Sequence, residues 1–173
     1  PRSRGLGDVY KRQIMKCLYR TRPYELISGS AEKLHEKWRD ISIKTLTGGD
    51  SGYNYKELCT ALVKDFDSLP LNESLKKPRV GIVGEMLVKY MPLANNHLVE
   101  LLEKEGAEAV VPDLMDFMNY CLYNTLYKRE YLGTSWASAA ASKAGLKIIE
   151  TVRRPAVEAL RNSSRFEPGM PID

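Results

Sequence analysis

The chain has 173 residues, of which 43% are hydrophobic and 28% charged, and its formal net charge is +4. This length allows one ordinary domain, or one domain and part of another. No apolar run approaches the roughly 20 residues of a membrane-spanning helix, and no apolar region follows the first basic residues as in a secretory signal. The three cysteines are widely spaced and form no C-x-x-C pair. We therefore predict no disulfide framework, no self-contained zinc site and a cytoplasmic location with reduced thiols.

The excess of positive charge lies at the start of the chain. Residues 1–13, PRSRGLGDVYKRQ, carry four basic side chains and one acidic side chain. The remaining basic residues form no stripe with interleaved aromatic residues, so we predict no nucleic-acid binding. The segment resembles a peptide that recurs at the ends of unrelated proteins predicted from environmental sequence reads. We interpret it as a non-native leader; the alternative is a native basic arm.

Residues 14–77 are predicted to form a helical lead-in. Helices are expected over residues 31–46, where two glycines follow, and over residues 53–68. The second helix has apolar side chains at helical spacing, with Cys59 inside this stripe as a small core residue. The polar connector that follows, residues 69–77, is short, which favours tight packing of the lead-in against the rest of the chain.

Residues 78–113 read as one strand–loop–helix–strand unit. Two short apolar runs, at residues 79–83 and 109–111, are rich in β-branched residues, and helical spacing begins at Leu98. Strands this short and apolar on both faces are typical of a buried parallel sheet, with a right-handed crossover. We therefore predict an α/β fold, in which residues 78–173 form a partial Rossmann-like βαβ unit of a doubly wound parallel sheet.

The rest of the chain is predicted to be a helical C-terminal segment. A helix capped by Asp113 carries Cys121 on a broad apolar face, where a buried core thiol is the preferred interpretation and an iron–sulfur ligand the alternative. The small residues 137–144 are expected to pack tightly onto the sheet, and Gly145 and Pro155 to interrupt their helix. Two strands do not make a stable doubly wound sheet, so we expect a chain truncated at both ends.

The candidate ligand site lies beyond the carboxyl ends of the two predicted strands, where open parallel sheets bind ligands. Gly84 and Glu85 follow the first strand, and Asp113 follows the second. Glu85 is a candidate acid/base group, although a surface or helix-capping glutamate is the interpretation we favour. Asn95 and Asn96 precede the middle helix, where they cap it or accompany a bound anion. No dinucleotide-binding glycine motif, Walker A motif or nucleophile elbow is present.

Several ordered stretches resemble one family. They are LYRTRPYEL (18–26), LHEKW (34–38), PRVGIVGE (78–85), LANNHLVELLEKEGAEAVVPDLMDF (93–117), YCLYN (120–124), RRP (153–155) and RFEP (165–168). Together they resemble the 2-hydroxyglutaryl-CoA dehydratase D-component family, in particular the large activase-related proteins in which this module is joined to an ATPase of the actin type. The resemblance covers nearly everything from residue 14 to the end.

The resemblance implies a fragment of an oxygen-sensitive, anaerobic iron–sulfur system. In such a system an ATP-driven activator passes an electron to a 4Fe-4S component, which eliminates water from a 2-hydroxyacyl-CoA. The implied partners are the acyl-CoA substrate or an activator or dehydratase subunit. ATP would enter only through an ATPase half that this chain lacks, and a family stretch with cysteine and proline would follow residue 168. Of the cysteines, only Cys121 falls in a matching segment, so this chain alone is expected to be inactive.

Two other interpretations stay open. One is a non-catalytic Rossmann-like scaffold or subunit-interaction module that binds no small molecule. The other is a conventional α/β enzyme, or a phosphate- or sugar-binding domain, that uses Glu85 and the helix start at Asn95.

Overall fold

A computed structural model describes residues 13–49, 51–133 and 135–166 of the chain. The described residues are mostly helical and include two short parallel strands. In chain order they form α1 (described over residues 13–21), a 3-10 helix (Arg22–Tyr24), α2 (Ser30–Leu46), α3 (Tyr55–Asp67), β1 (Arg79–Gly81), α4 (Met86–Tyr90), α5 (Leu98–Lys104), β2 (Glu108–Val110), α6 (Leu114–Leu132) and α7 (Trp136–Arg161). The predicted leader lies outside the described residues except for Gln13, and so does the end of the chain from residue 167. None of the described helices combines the length and apolar character needed to cross a membrane.

The main core is a helical bundle built from α1, α2, α3 and the end of α7. Its buried side chains are Ile14, Cys17, Trp38, Leu58, Cys59, Leu62, Val63, Phe66, Ala156, Ala159, Leu160 and Phe166. The largest share comes from α3, whose buried residues are those of the predicted stripe. The prediction that Cys59 is a core residue is confirmed, since its side chain is fully buried.

The starts of α2 and α3 show how local sequence sets helix boundaries. The helix α3 begins at Tyr55 rather than at residue 53, because Asn54 and Glu57 form a capping box in which each side chain accepts the other's backbone N–H, at 3.0 and 2.9 Å. The start of α2 is capped from outside the helix. The Glu25 carboxylate accepts the N–H groups of Gly29 at 2.6 Å and Ala31 at 2.9 Å.

The connector after α3 is hydrogen-bonded to the 3-10 helix and its flank. The N–H of Leu26 donates to the Pro70 carbonyl at 3.1 Å, and the N–H of Asn72 donates to the Tyr24 carbonyl at 2.8 Å. The connector therefore runs along the lead-in before the chain enters β1.

The two strands pair in parallel, as predicted, with Val80 opposite Ala109. The strand β1 is shorter than its predicted run, β2 begins one residue earlier than predicted, and α4 and α5 lie between them in sequence. A second, smaller core forms here from the buried side chains of Ile82, Val99 and Ala109. The prediction that the first strand is buried on both faces is wrong, because all three residues of β1 are exposed. With two strands, each one is an edge strand, and the described residues do not cover β1.

The helices α6 and α7 pack against each other as a hairpin. Asp113 caps α6 by accepting the Met115 N–H at 2.9 Å, and Gly133 ends α6 in the left-handed conformation, with φ +65°. The cap by Asp113 was predicted. The helix α7, which carries the small residues 137–144, packs on α6 and α3 rather than on the sheet, which corrects the prediction for those residues. A Cβ on Gly145 would lie 3.3 Å from a methyl carbon of Leu122, so glycine allows this close approach.

The prediction that Gly145 and Pro155 interrupt this helix is also wrong, since α7 is continuous over 26 residues. A proline inside a helix costs about 3 kcal/mol. The helix buries Leu146 before Pro155 and Leu160 after it, and the burial of these side chains offsets that cost. The Tyr55 hydroxyl also donates to the Val152 carbonyl at 2.8 Å, which supplies a donor where the proline disturbs the backbone ladder.

Candidate functional site

The predicted site residues gather around α4, at the carboxyl ends of the strands. Gly84 has φ +147°, a conformation that suits glycine, and it turns the chain out of the sheet. Glu85 is exposed and occupies the N-cap of α4, where its carboxylate accepts the Val88 N–H at 3.0 Å. This geometry agrees with the capping interpretation of Glu85.

Asn95 holds the other end of α4. Its side-chain amide donates to the carbonyls of Val88 and Lys89, each at 3.1 Å, and its side-chain oxygen accepts the Leu98 N–H at 3.3 Å. The N-cap position of α5 is taken by His97, which makes no side-chain capping bond. Asn96 is left-handed, with φ +56°. The prediction of an asparagine at the N-cap position is therefore wrong, although Asn95 does bind the first turn of α5.

Asp113 follows a residue that contacts α4. The Tyr90 hydroxyl of α4 donates to the carbonyl of Pro112, the residue before Asp113. The helix α4 thus contacts the segments that follow both strands. The carboxylates of Glu85 and Asp113 both bind backbone N–H groups at helix starts, which is a structural use of an acidic side chain.

The cysteines divide into two buried residues and one exposed residue. Cys17 and Cys59 are fully buried, and burial raises the pKa of both thiols, that of Cys59 to about 12. Cys121 is exposed on α6, so its preferred interpretation as a buried core thiol is wrong. Across the described ranges, no three His, Cys, Asp or Glu side chains are arranged to hold a metal ion.

The most buried charge in this region is one that the sequence interpretation missed. The side chain of Glu108 in β2 is 2% exposed. Its carboxylate accepts hydrogen bonds from the Arg20 guanidinium and from the Tyr24 hydroxyl, the latter at 2.8 Å. The Arg79 guanidinium lies 3.1 Å from its other oxygen. We call these four residues the Glu108 cluster. In the sequence, a glutamate before an apolar run gives no local sign of burial.

Arg20, Tyr24 and Arg79 each compensate part of the free-energy cost of burying the Glu108 carboxylate. A buried charge is costly unless it is paired and hydrogen-bonded. The two guanidiniums keep contact with water, since the side chains of Arg20 and Arg79 are 39% and 51% exposed. Burial, followed by the hydrogen bond to Glu108, raises the pKa of Tyr24. The cluster therefore ties α1, the 3-10 helix and both strands to one another.

A second polar tie lies beside it. The Arg22 guanidinium donates two hydrogen bonds to Glu103 of α5, at 2.7 and 3.0 Å, and one to Glu32 of α2, at 3.0 Å. Burial acts to lower the pKa of Arg22, and the hydrogen bonds to Glu103 and Glu32 outweigh it, so that this pKa is raised. Residues 18–26 thus connect the helical bundle to the sheet through both arginines, and the R-x-R-P-Y pattern was the available signal.

Two shallow surface grooves lie elsewhere. One, of about 520 Å³, follows α3 near Asn54, and the other, of about 380 Å³, follows α7 near Ile148. Neither groove is lined by a predicted site residue.

Comparison of the chain with protein-family models, with curated proteins and with solved structures gave no match.

Proposed function

We propose that this chain is part of a 2-hydroxyacyl-CoA dehydratase system of the D-component, activase-related kind. In this proposal residues 78–173 are a partial Rossmann-like subdomain, joined to the helical lead-in. One observation carries the proposal, which is that three of the stretches resembling the family meet at one buried carboxylate. Arg20 and Tyr24 come from residues 18–26, Arg79 comes from residues 78–85, and Glu108 comes from residues 93–117.

This convergence has a physical meaning. Arg20 and Tyr24 lie 88 and 84 positions before Glu108 in the sequence, so a change in one stretch would leave charge uncompensated in another. Motif residues that depend on one another in this way form one structural unit.

The proposal assigns the chemistry to the larger system. A 4Fe-4S cluster takes several cysteinyl ligands, and two of the three thiols here are inside the bundle. The main cluster ligands would therefore come from outside this chain, with Cys121 as a neighbour or a single ligand. ATP-driven electron transfer to that cluster would support dehydration of a 2-hydroxyacyl-CoA, and this chain would form one wall of the cleft.

The test is anaerobic iron–sulfur reconstitution of the 173-residue chain, followed by optical spectra and iron counts. We expect no stoichiometric four-iron cluster on this chain alone. Coding sequence that continues past residue 173 into a cysteine- and proline-containing stretch should yield a longer product that binds a four-iron cluster. A stable four-iron spectrum on the short chain, lost on Cys121→Ser, would contradict the assignment of the main ligands. An ordinary catalytic motif downstream, without further cysteines, would contradict the family proposal itself.

A second candidate is a non-catalytic scaffold or subunit-interaction module. It is favoured by the use of Glu85, Asn95 and Asp113, all of which bind helix backbone. Calorimetric titration with coenzyme A and with inorganic phosphate separates this candidate from a phosphate-binding domain. Heat of binding that is lost on Asn95→Ala would contradict the scaffold.

A further inference from the structure

The outward face of α6 exposes a row of aromatic side chains. Phe117, Tyr120, Tyr127 and Tyr131 are 43%, 57%, 58% and 63% exposed. Their spacing of three, seven and four residues places them on one side of the helix. The rings lie in two pairs, with centroids 6.4 Å apart for the first two and 4.4 Å apart for the last two. We call these four residues the α6 stripe.

The opposite face of α6 is already used. Asn119 is buried there, and Leu122 contacts α7 at Gly145. Residues 117–127 contain no charged side chain, whereas the solvent face of a surface helix is normally charged or polar. Large exposed apolar patches on soluble proteins mark interaction sites. The α6 stripe therefore has the composition of a helix face that another surface covers.

The exposed apolar area at α6 approaches the area that a stable dimer buries. The exposed fractions of the α6 stripe amount to about two whole aromatic side chains, or on the order of 400 Å². Two further exposed side chains, Leu132 at the end of α6 and Trp136 at the start of α7, are 70% and 74% exposed and extend this area. A stable protein–protein interface buries about 800 Å² on each partner.

We propose that the α6 stripe binds the same stripe of a second copy of this chain, with the two α6 helices antiparallel. The helix starts with Asp113 and Asp116 and ends with Lys128 and Arg129, followed by Glu130. Antiparallel pairing places the acidic start of one helix against the net positive end of the other, although Asp116 also pairs with Arg153 of its own chain. The antiparallel arrangement also points the two helix dipoles in opposite directions, which is favourable. A two-fold interface of this kind is self-complementary and closed.

The position of the two-fold axis follows from the same pairing. The midpoint between the acidic start and the basic end of α6 falls near Leu122, so Cys121 lies beside the axis on the exposed face. The two copies of Cys121 should therefore come close to each other. This proposal does not depend on the dehydratase assignment, because it uses only the surface of α6.

The first test is the mass of the full 173-residue chain in solution, measured by analytical ultracentrifugation from nanomolar to high micromolar concentration. We expect a dimer with a micromolar dissociation constant, weakened about 30-fold or more by Tyr120→Glu or Tyr127→Glu. Ile43→Glu is the matched control, since Ile43 is 52% exposed on α2, away from the stripe. Circular dichroism checks that each variant stays folded. A chain that is monomeric throughout, or a dimer that both tyrosine variants leave intact, would overturn the proposal.

The second test uses Cys121 as a probe of geometry. Under mild oxidation, or with a short bis-maleimide, the chain should form a covalent dimer that Cys121→Ser abolishes. Cys17 and Cys59 serve as internal controls, because both are buried and should stay unmodified in the mass spectrum. A dimer that cannot be crosslinked at Cys121 by either reagent would refute the antiparallel arrangement.

Discussion

The helical bundle and the sheet unit of this protein are stabilised by different forces. The bundle buries large apolar side chains such as Trp38 and Phe66, both at 1% exposure or less. Among the described residues, the apolar core of the sheet unit is built from the smaller side chains of Ile82, Val99 and Ala109. Because fully burying a large apolar side chain contributes about 1.5–3 kcal/mol, the bundle has most of the hydrophobic stabilisation.

The sheet unit has less hydrophobic stabilisation, and charged contacts attach it to the bundle side of the molecule. The Glu108 cluster and the pairing of Arg22 with Glu103 both join residues 18–26 to the β-unit. Polar contacts are directional, so they set the orientation of the sheet more strictly than a small apolar core does. We therefore expect apolar truncation in the bundle to lower the free energy of unfolding strongly. Charge changes near the sheet should have smaller and more local effects.

The largest effect is expected for Phe66→Ala in the bundle. This change removes a fully buried ring and leaves a cavity, which should lower the free energy of unfolding by about 3–5 kcal/mol. Guanidinium unfolding followed by circular dichroism measures it. Ile43→Ala, at a position 52% exposed, is the control and should change stability by less than about 1 kcal/mol. An equal effect of both variants would remove the distinction between core and surface that the comparison uses.

A smaller effect is expected for Glu108→Gln. The amide keeps the shape of the side chain but removes the charge that Arg20 and Arg79 face, and both arginines can return to water. We expect a loss of about 2 kcal/mol. Hydrogen exchange should quicken in β1 and β2 before it does in α3. The control Glu73→Gln changes a carboxylate whose side chain is 82% exposed. Uniform loss of protection across both regions would mean that the cluster supports the bundle as much as the sheet.

Arg22→Lys should have a smaller effect still. Lysine keeps the positive charge but cannot make the two-pronged contact with Glu103. We expect a loss of about 1 kcal/mol, with faster amide exchange in α5. Arg39→Lys is the matched control, because Arg39 is half exposed and pairs with its neighbour Asp40 on α2. Unchanged exchange in α5 would show that Arg22 does not hold that helix.

The smallest effect concerns the pH dependence of stability through His35 on α2. Burial lowers the pKa of His35 below its usual 6.5, with Glu32, Arg39, Arg22 and Glu36 as the charged groups around it. The unfolded chain then takes up the proton first as pH falls, so stability should decrease below about pH 6.5 and recover above it.

His35→Gln should flatten that part of the stability curve, measured by urea unfolding at a series of pH values. His97→Gln is the control, because His97 lies on the exposed surface, with a side chain 57% exposed. A curve whose slope is the same in the wild type and in His35→Gln would assign the acid sensitivity to other groups.

Local patterns in the sequence predicted a large part of the fold. The buried stripe of α3, the parallel pairing of the strands and the Asp113 cap follow from residue spacing and from side chains that bind nearby backbone. The path of α7 through Pro155 could not be predicted in this way. Its helical continuity depends on side chains of α3 and α6 that are distant in sequence.

The candidate site shows the same division. Glu85, Asn95 and Asp113 were predicted to lie at one edge of the sheet, and α4 does link their segments. The Glu108 cluster was missed, since a glutamate in a strand gives no local sign that two arginines and a tyrosine from elsewhere will surround it. The family resemblance and the iron–sulfur function stay predictions.

By itself, the sequence determined most of the helices and both strands, α4 and the continuity of α7 excepted, because capping and apolar spacing act over a few neighbouring residues. Only the tertiary structure decided which charges are buried and which apolar faces are left exposed, because both depend on contacts between distant segments. Glu108 and the α6 stripe are the two clearest cases. A carboxylate lies inside the molecule because Arg20, Tyr24 and Arg79 meet there, and aromatic rings remain on its surface because α7 covers only the other side of α6.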